Sequence, residues 1–318
     1  LTEEKGFLMY KKGRRAWVFL VLGFSFVHFF HAMAEDVQEN ALVDLVVFSY
    51  NRPMQLFAML ESLEWYVKGL QDIYVIYRVS NKRYYDAYAF VKNNFSHVTF
   101  ISQNEEQGNP ESNFRSVTLN CLKNLVSDYV MFAVDDDIVT DQVDLTECIV
   151  ALEKTNAYAF YLRLGKNITR SYAMNKPCQP PTSLVLIDNG IYAWCFGDGK
   201  IEWNYPNTVD MTIYRKSDIA VLLNFDFKNP NSLEGRWAGY GRIRQKQFGL
   251  CYEYSKMINI PLNKVQTHNN NRHMNAQTCV ELLELFEQGF KIYIKPMEKM
   301  RNQSPHIGYV PRFVERLR

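Results

Sequence analysis

From about Val43 the chain alternates apolar runs of strand length with stripes at helical spacing. "LVDLVVFSY" is a β-branched run stopped by the turn "YNRP", and Leu56, Phe57, Leu60, Leu63, Val67 and Leu70 then recur on one helical face. "DIYVIYRV" predicts a second strand and Val98–Ile101 a third, followed by the polar loop "SQNEEQGNPESN". Phe114, Val117, Cys121 and Leu125 form another helical stripe, leading into the strand "YVMFAV". Strands separated by amphipathic helices predict an α/β, Rossmann-like fold: a mostly parallel central sheet flanked by helices. Ligands of such sheets bind at the carboxyl ends of strands, so the loops after Phe48, Val79, Ile101 and Val134 should share one rim.

The second half reads differently. Short aromatic-rich strands between Ala157 and Tyr214 are broken by prolines and glycines. "DGKIEWNYP" reads as a hairpin or exposed loop, and "TVDMTIYRKSDI" as a strand running into a helix. Leu282, Leu283, Leu285 and Phe286 predict a C-terminal helix ending near Gly289, with "KIYIKP" a late strand. These shifts divide the chain into residues 1–34, a first binding half at 35–145, an aromatic-rich half at 146–275, and a C-terminal helix and tail at 276–318.

Composition narrows the class. The 318 residues are 47% hydrophobic and 14% aromatic, enough for a substantial core, and the formal net charge of +2 argues against a nucleic-acid binder with a broad basic face. Six widely spaced cysteines without C-x-x-C give no zinc signature. Lys11, Lys12, Arg14 and Arg15 precede an apolar stretch from Ala16 to Phe30 and then Ala32-Met33-Ala34, the parts of a secretory signal peptide. A signal anchor and a buried core helix are the other readings. The first two imply an exported or membrane-anchored protein, secreted, periplasmic or lumenal, or else one held on the cytoplasmic face.

The densest chemistry is "YVMFAVDDDIVTD". Asp135, Asp136 and Asp137 follow an apolar strand directly, and alternate side chains of an extended segment point the same way. Two such carboxylates can hold Mg²⁺ or Mn²⁺ and leave positions for phosphate oxygens and water. The competing reading is a solvated turn, or a helix cap by Asp137 or Asp141.

"VVFSYNRPMQLFAMLESL" followed by "ISQNEEQGNPESNFRSVTLNCLKNLVSDYVMFAVDDDIV" resembles the nucleotide-binding half of a GT-A glycosyltransferase, close to the family-2 type. The resemblance implies a metal-dependent transferase moving a sugar from a UDP- or GDP-sugar donor to a glycan, lipid or protein acceptor. It implies that Ser49, Tyr50, Asn51 and Arg52 line the nucleotide site, and that Asp135 and Asp137 contact ribose and diphosphate, the latter through the metal. Asp136, Ser80, Asn81 and Asn113 join the donor set, although Ser80 and Asn81 stand where family members often carry an acidic residue. Arg52 can be read as a phosphate fork or as a salt bridge at a helix start. A downstream imidazole, His268 or His273, is the implied third metal ligand.

Inverting sugar transfer needs a base for the acceptor hydroxyl. Glu234 in "NPNSLEGRW" lies in the expected window, with Asp210 in "TVDMTIYR" and Asp198 as rivals. Trp194, Trp203 and Trp237 offer either an acceptor-sugar platform or core. Two other classes stay in view: a non-catalytic carbohydrate-binding protein of the same fold, and a haloacid-dehalogenase-like phosphatase, whose D-x-D would sit on the opening strand.

Overall fold

The computed structural model describes residues 42–110, 112–220, 223–265, 272, 274 and 276–316. The segment expected to be a signal peptide or anchor, and the His268 and His273 expectations, lie outside the described residues. Among the described residues no helix is long and apolar enough to cross a membrane.

The first half follows the predicted alternation. Strand β1 (Val43–Tyr50) leads to helix α1 (Pro53–Tyr66), β2 (Leu70–Arg78), α2 (Lys82–Asn94), β3 (Thr99–Ser102), α3 (Phe114–Asn124) and β4 (Tyr129–Val134). Pro53 opens α1, where its missing N–H costs nothing, and the Asn81 side chain caps α2 by accepting from the Tyr84 N–H. Beyond β4 come a short β5 (Asp137–Val139), α4 (Leu145–Thr155), β6 (Ala159–Tyr161), β7 (Val185–Asp188), β8 (Ile191–Cys195) and β9 (Thr212–Arg215). Helices α5 (Lys216–Ala220) and α6 (Pro230–Gly239), strands β10 (Phe248–Tyr252) and β11 (Met257–Asn259), and helix α7 (Cys279–Glu287) complete the main elements. Asp144, rather than Asp137 or Asp141, caps the helix after the aspartates, by accepting from the Thr146 N–H.

Nine strands form one sheet in the order β7-β8-β10-β6-β9-β4-β1-β2-β3. The β4-β1-β2-β3 side is parallel throughout; antiparallel β9 joins it to β6 and β10, which are parallel to each other. The chain builds outward from β1 through β2 to β3, then returns to place β4 on the other side of β1. That reversal puts the switch point, where open α/β sheets bind ligands, between the carboxyl ends of β1 and β4.

Behind the switch point lies an aromatic core. Phe132 stacks on Phe48 at 6.0 Å and meets Trp237 edge-on at 5.8 Å. Trp194 and Trp203 pack at 5.1 Å, and the indole N–H of Trp194 donates to the Trp203 carbonyl. The "DGKIEWNYP" segment is two short 3₁₀ turns rather than a hairpin, because Trp203 is drawn into this core. Truncating a wholly enclosed aromatic removes both its transfer energy and its contacts. Phe132→Ala should therefore cost about 3–5 kcal/mol, read as a lowered urea midpoint with an unchanged slope.

Candidate functional site

The register of β1 and β4 pairs Phe48 with Val134, and the Asp135 N–H donates to the Phe48 carbonyl. Ser49 and Asp135 therefore leave adjacent strands side by side. Asn51 then takes a left-handed conformation (φ 53°), which asparagine tolerates, and so turns the chain sharply into α1. The Asn51 side chain reaches across to the end of β2, donating to Ser80 Oγ at 2.9 Å and accepting from the Ser80 N–H at 3.0 Å. Asn113 and Gln103 are buried together, Asn113 Nδ2 donating to the Gln103 carbonyl at 2.9 Å, so the loop after β3 is pinned at the same rim.

Arg52 is the hub of this rim. Its Nη1 donates to Asp135 Oδ1 at 2.9 Å and Asp136 Oδ2 at 3.0 Å; Nε and Nη2 donate to the side chain and backbone carbonyl of Asn263 at 2.9 and 2.6 Å. Every guanidinium nitrogen is thus engaged by the protein, which makes Arg52 a clamp rather than an open phosphate fork. Burial pulls this guanidinium down, but Asp136 and Asp135 together raise it above its ordinary value.

The three aspartates have different surroundings. Asp135 accepts from Ser49 Oγ at 2.8 Å and the Tyr50 N–H at 3.2 Å besides Arg52, while Ser49 Oγ also hydrogen-bonds the buried Tyr88 hydroxyl. Burial pushes Asp135 up to about 6 against the pull of Arg52. Three of its four lone-pair directions are taken, so its main task is holding β1 to β4. Asp136 bridges Arg52 and Asn259 Nδ2 (3.1 Å) and keeps partial exposure. Asp137 accepts from Asn259 Nδ2 at 2.9 Å and the Val134 N–H at 3.1 Å, with 0% exposure. Burial first, and then the negative charges of Asp210 and Asp136, raise Asp137 well above the ordinary carboxylate range.

Asp210 stands at the start of β9, which runs antiparallel to β4 and so begins where β4 ends. Its Oδ2 lies 3.6 Å from His306 Nε2. One turn into α6, Glu234 Oε1 accepts from Thr208 Oγ1 at 2.6 Å and the Val209 N–H at 3.1 Å, while Oε2 has no partner among the described residues. The Thr208 hydroxyl also accepts from the Asp210 N–H at 3.2 Å, linking the two carboxylate positions. Desolvation and the nearby Asp210 charge push Glu234 up to about 7. Behind them Arg163, 1% exposed, donates to Glu202 Oε2 at 2.7 Å and supplies the cluster's enclosed positive charge.

The structure therefore brings Ser49, Tyr50, Asn51, Arg52, Ser80, Asn81, Asn113 and the aspartates to one rim, and Asp210 and Glu234 to its antiparallel side. Trp194, Trp203 and Trp237 are not there. They are 1%, 0% and 0% exposed, so no ring face is open to a sugar, and the platform expectation gives way to a core role. The aspartates follow the fourth strand, not the first, which removes the phosphatase arrangement. Tyr88, Arg163, Glu202, Asn259 and Asn263 escaped the sequence reading. Only Arg163 left a trace there, as a cation inside the apolar run "AFYLRLG".

A divalent cation fits the donor chemistry at the mouth, where Asp137 is crowded against Asp210 and Asp136 and all three offer oxygen. Among the described residues no group of three His, Cys, Asp or Glu side chains converges to hold a metal unaided. A resident ion would therefore share its coordination with phosphate oxygens and water. A polar cleft of about 440 Å³ opens elsewhere, between Lys68, Asp144, Glu253 and Arg301, and contains none of these groups.

The chain matches no protein-family model. It is 30% identical over 263 residues to the bifunctional glycosyltransferase pgtA of Dictyostelium discoideum, covering 72% of this chain and 33% of that protein. The chain thus spans about a third of that relative's length. Similar solved structures include S. aureus TarS residues 1–349 in complex with UDP (TM-score 0.44, 11% identity, 67% of this chain and 58% of that one). The mannosyltransferase PcManGT from Pyrobaculum calidifontis, in complex with GDP-Man and Mn²⁺, is another (TM-score 0.39, 10% identity, 64% and 53%).

Removing the clamp tests the site's construction. Arg52→Met leaves Asp135 and Asp136 enclosed without a counter-charge, and should destabilise the protein by about 3–5 kcal/mol in equilibrium urea unfolding. Arg52→Lys, with one nitrogen for four bonds, should recover only part of that loss.

Proposed function

We propose that this chain is a glycosyltransferase domain that moves a sugar from a nucleoside-diphosphate-sugar to a hydroxyl of a glycan, lipid or protein acceptor. The observation that carries the reading is the pairing, across one rim, of an aspartate cluster at the β1/β4 switch point with a carboxylate held near neutrality on α6. The likeness to part of a bifunctional glycosyltransferase supports it. The donor lies at the switch point with its nucleoside toward Tyr50, Asn51 and Ser80, and its diphosphate toward Asp136 and Asp137. Asp137, with Asp136 and Asp210 beside it, would hold Mn²⁺ or Mg²⁺, which when bound would offset the negative charge of the departing diphosphate.

Glu234 is the base in this reading. Its Oε1 is fixed by Thr208 and Val209 while Oε2 is left to reach an acceptor hydroxyl, and a pKa near the working pH suits proton transfer. As Oε2 takes the hydroxyl proton, the acceptor oxygen bonds the anomeric carbon, and the bond from that carbon to the diphosphate oxygen breaks on the opposite face. The products are an inverted glycoside and the nucleoside diphosphate. Asp210 is less suited to this role, because it faces His306 and Asp137.

Incubation with UDP- and GDP-sugars and a divalent cation should yield free nucleoside diphosphate; no binding of either class by calorimetry overturns the reading. Asp137→Asn should lower turnover at least a hundredfold. With Glu234 ionising at about 7, kcat/KM should fall about tenfold per pH unit below 7 and level off above it. Glu234→Gln keeps an acceptor oxygen for Thr208 and Val209, so it should retain donor binding and lose transfer. The stability sign is definite as well. A folded-state pKa above the unfolded value means the Glu234 contribution is fully present below about 4.5 and lost as pH rises through about 7. The Gln variant should therefore show a raised thermal midpoint at pH 8, and a smaller gain at pH 5.

A further inference from the structure

We infer that Arg78 reads the donor's nucleobase, its guanidinium donating to a keto oxygen of the kind that uracil and guanine carry. The inference rests on the donor reading above and deepens it at one residue. Arg78 closes β2 and Tyr50 closes β1, and the parallel register makes them direct partners. The guanidinium carbon of Arg78 stands over the Tyr50 ring, 4.3 Å from its centre. Contact of this kind holds the charge in place and consumes no N–H donor. Among the described residues no ion pair and no hydrogen bond engages that guanidinium. The other arginines around the rim are taken. Arg52 is held by Asp135, Asp136 and Asn263, Arg115 donates to the Phe225 carbonyl at 2.9 Å, and Arg83 pairs with Glu287. Nearby carboxylates leave Arg78 alone: Asp86 pairs with Lys82, and the exposed Glu105 and Glu106 make no bond to it. The backbone beneath it is braced. Asn104 accepts from the Val79 N–H at 3.0 Å and donates to the Val79 carbonyl at 3.1 Å, and the Arg78 carbonyl accepts from the Asn51 N–H at 3.4 Å.

Position favours a base contact over a phosphate contact. β2 lies two strand spacings from β4, about 10 Å, on the far side of β1 from the aspartates. Phe48, two residues before Tyr50, packs on Phe114 of α3 and on Phe132, which Trp237 of α6 meets edge-on. Alternation along the strands puts Tyr50 and Arg78 on that same face, the one against which α6 carries Glu234. A keto oxygen suits this cation because it accepts. The exocyclic amino group of cytosine or adenine donates, and would leave the guanidinium facing a second donor. Uracil offers O4, and guanine offers O6 beside N7, a pair that matches the forked donors of arginine. An acidic side chain at this end of β2 would read an N–H of the base instead, but the residues that follow Arg78 and Val79 here are the uncharged Ser80 and Asn81.

The test is calorimetric binding of UDP, CDP, GDP and ADP, each with Mg²⁺, to the full chain and to Arg78→Met, whose unbranched stem still covers Tyr50. The unaltered chain should prefer the keto member of one pair, UDP over CDP or GDP over ADP, by at least about tenfold, and the pair that responds identifies the base. Arg78→Met should cut that preference to about twofold or less by weakening the keto nucleotide alone, with the thermal midpoint unchanged. Arg78→Lys, a single ammonium in place of a fork, should restore only part of it. No keto preference in the unaltered chain, or an undiminished one in Arg78→Met, overturns the inference and leaves the donor reading standing. Equal weakening of every nucleotide, and of inorganic pyrophosphate, also overturns it, in favour of a diphosphate contact. Failure of the unaltered chain to bind any of the nucleotides removes the donor reading, and the inference with it.

Discussion

The candidate site depends on one buried charge arrangement. Three adjacent aspartates at the end of β4 repel one another, and burial makes that repulsion stronger. Arg52 offsets it by bonding Asp135 and Asp136 with one nitrogen and Asn263 with the other two. Because Arg52 sits at the start of α1 and the aspartates at the end of β4, the same bonds close the switch point between those elements. Such a clamp contributes more to specificity of geometry than to net stability, since well-packed apolar groups would hold the strands equally well. What it adds is a fixed place for negative charge. Asp136 keeps its partial exposure at the rim and Asp137 stays enclosed beneath it, each held by the Asn259 amide.

Much of the first half was readable because its signals are local. β-Branched runs, helical stripes and a Pro at the first helical position each name an element without reference to the rest of the chain, and their order implies the parallel sheet. The rim residues followed from that topology, since loops after parallel strands must emerge at one end. The second half resisted for a physical reason. Trp194, Trp203 and Trp237 have the same sequence signature whether they stack on a sugar or on each other. Only the packing of β8, β10 and α6 decides, and it encloses all three. Asn259 and Asn263 were equally hidden. A lone asparagine carries no periodicity, and their roles arise from β11 returning to pair with β5 more than a hundred residues after it.

The two sides of the rim divide the electrostatic work. On the parallel side, Arg52 offsets the charges of Asp135 and Asp136, and the Asn259 amide donates to Asp136 and Asp137. On the antiparallel side, the Asp210 charge acts on Glu234, and Arg163 is kept behind them by Glu202. Burial raises both carboxylates, and the opposing pull of His306 and then Arg163 at Asp210 separates the two environments. Thr208 makes the separation geometric. Its hydroxyl donates to Glu234 and accepts from the Asp210 N–H, so Glu234 is aimed by the same backbone that places Asp210.

The direction of the sheet then decides at which of its ends the polar groups gather. Carboxyl ends of parallel strands leave backbone and side-chain polar groups converging at one rim, and there the chain concentrates its aspartates. At the amino ends the connections return from the flanking helices, and the aspartates of the rim are absent there. Strand direction in this way fixes the end at which the polar side chains can converge.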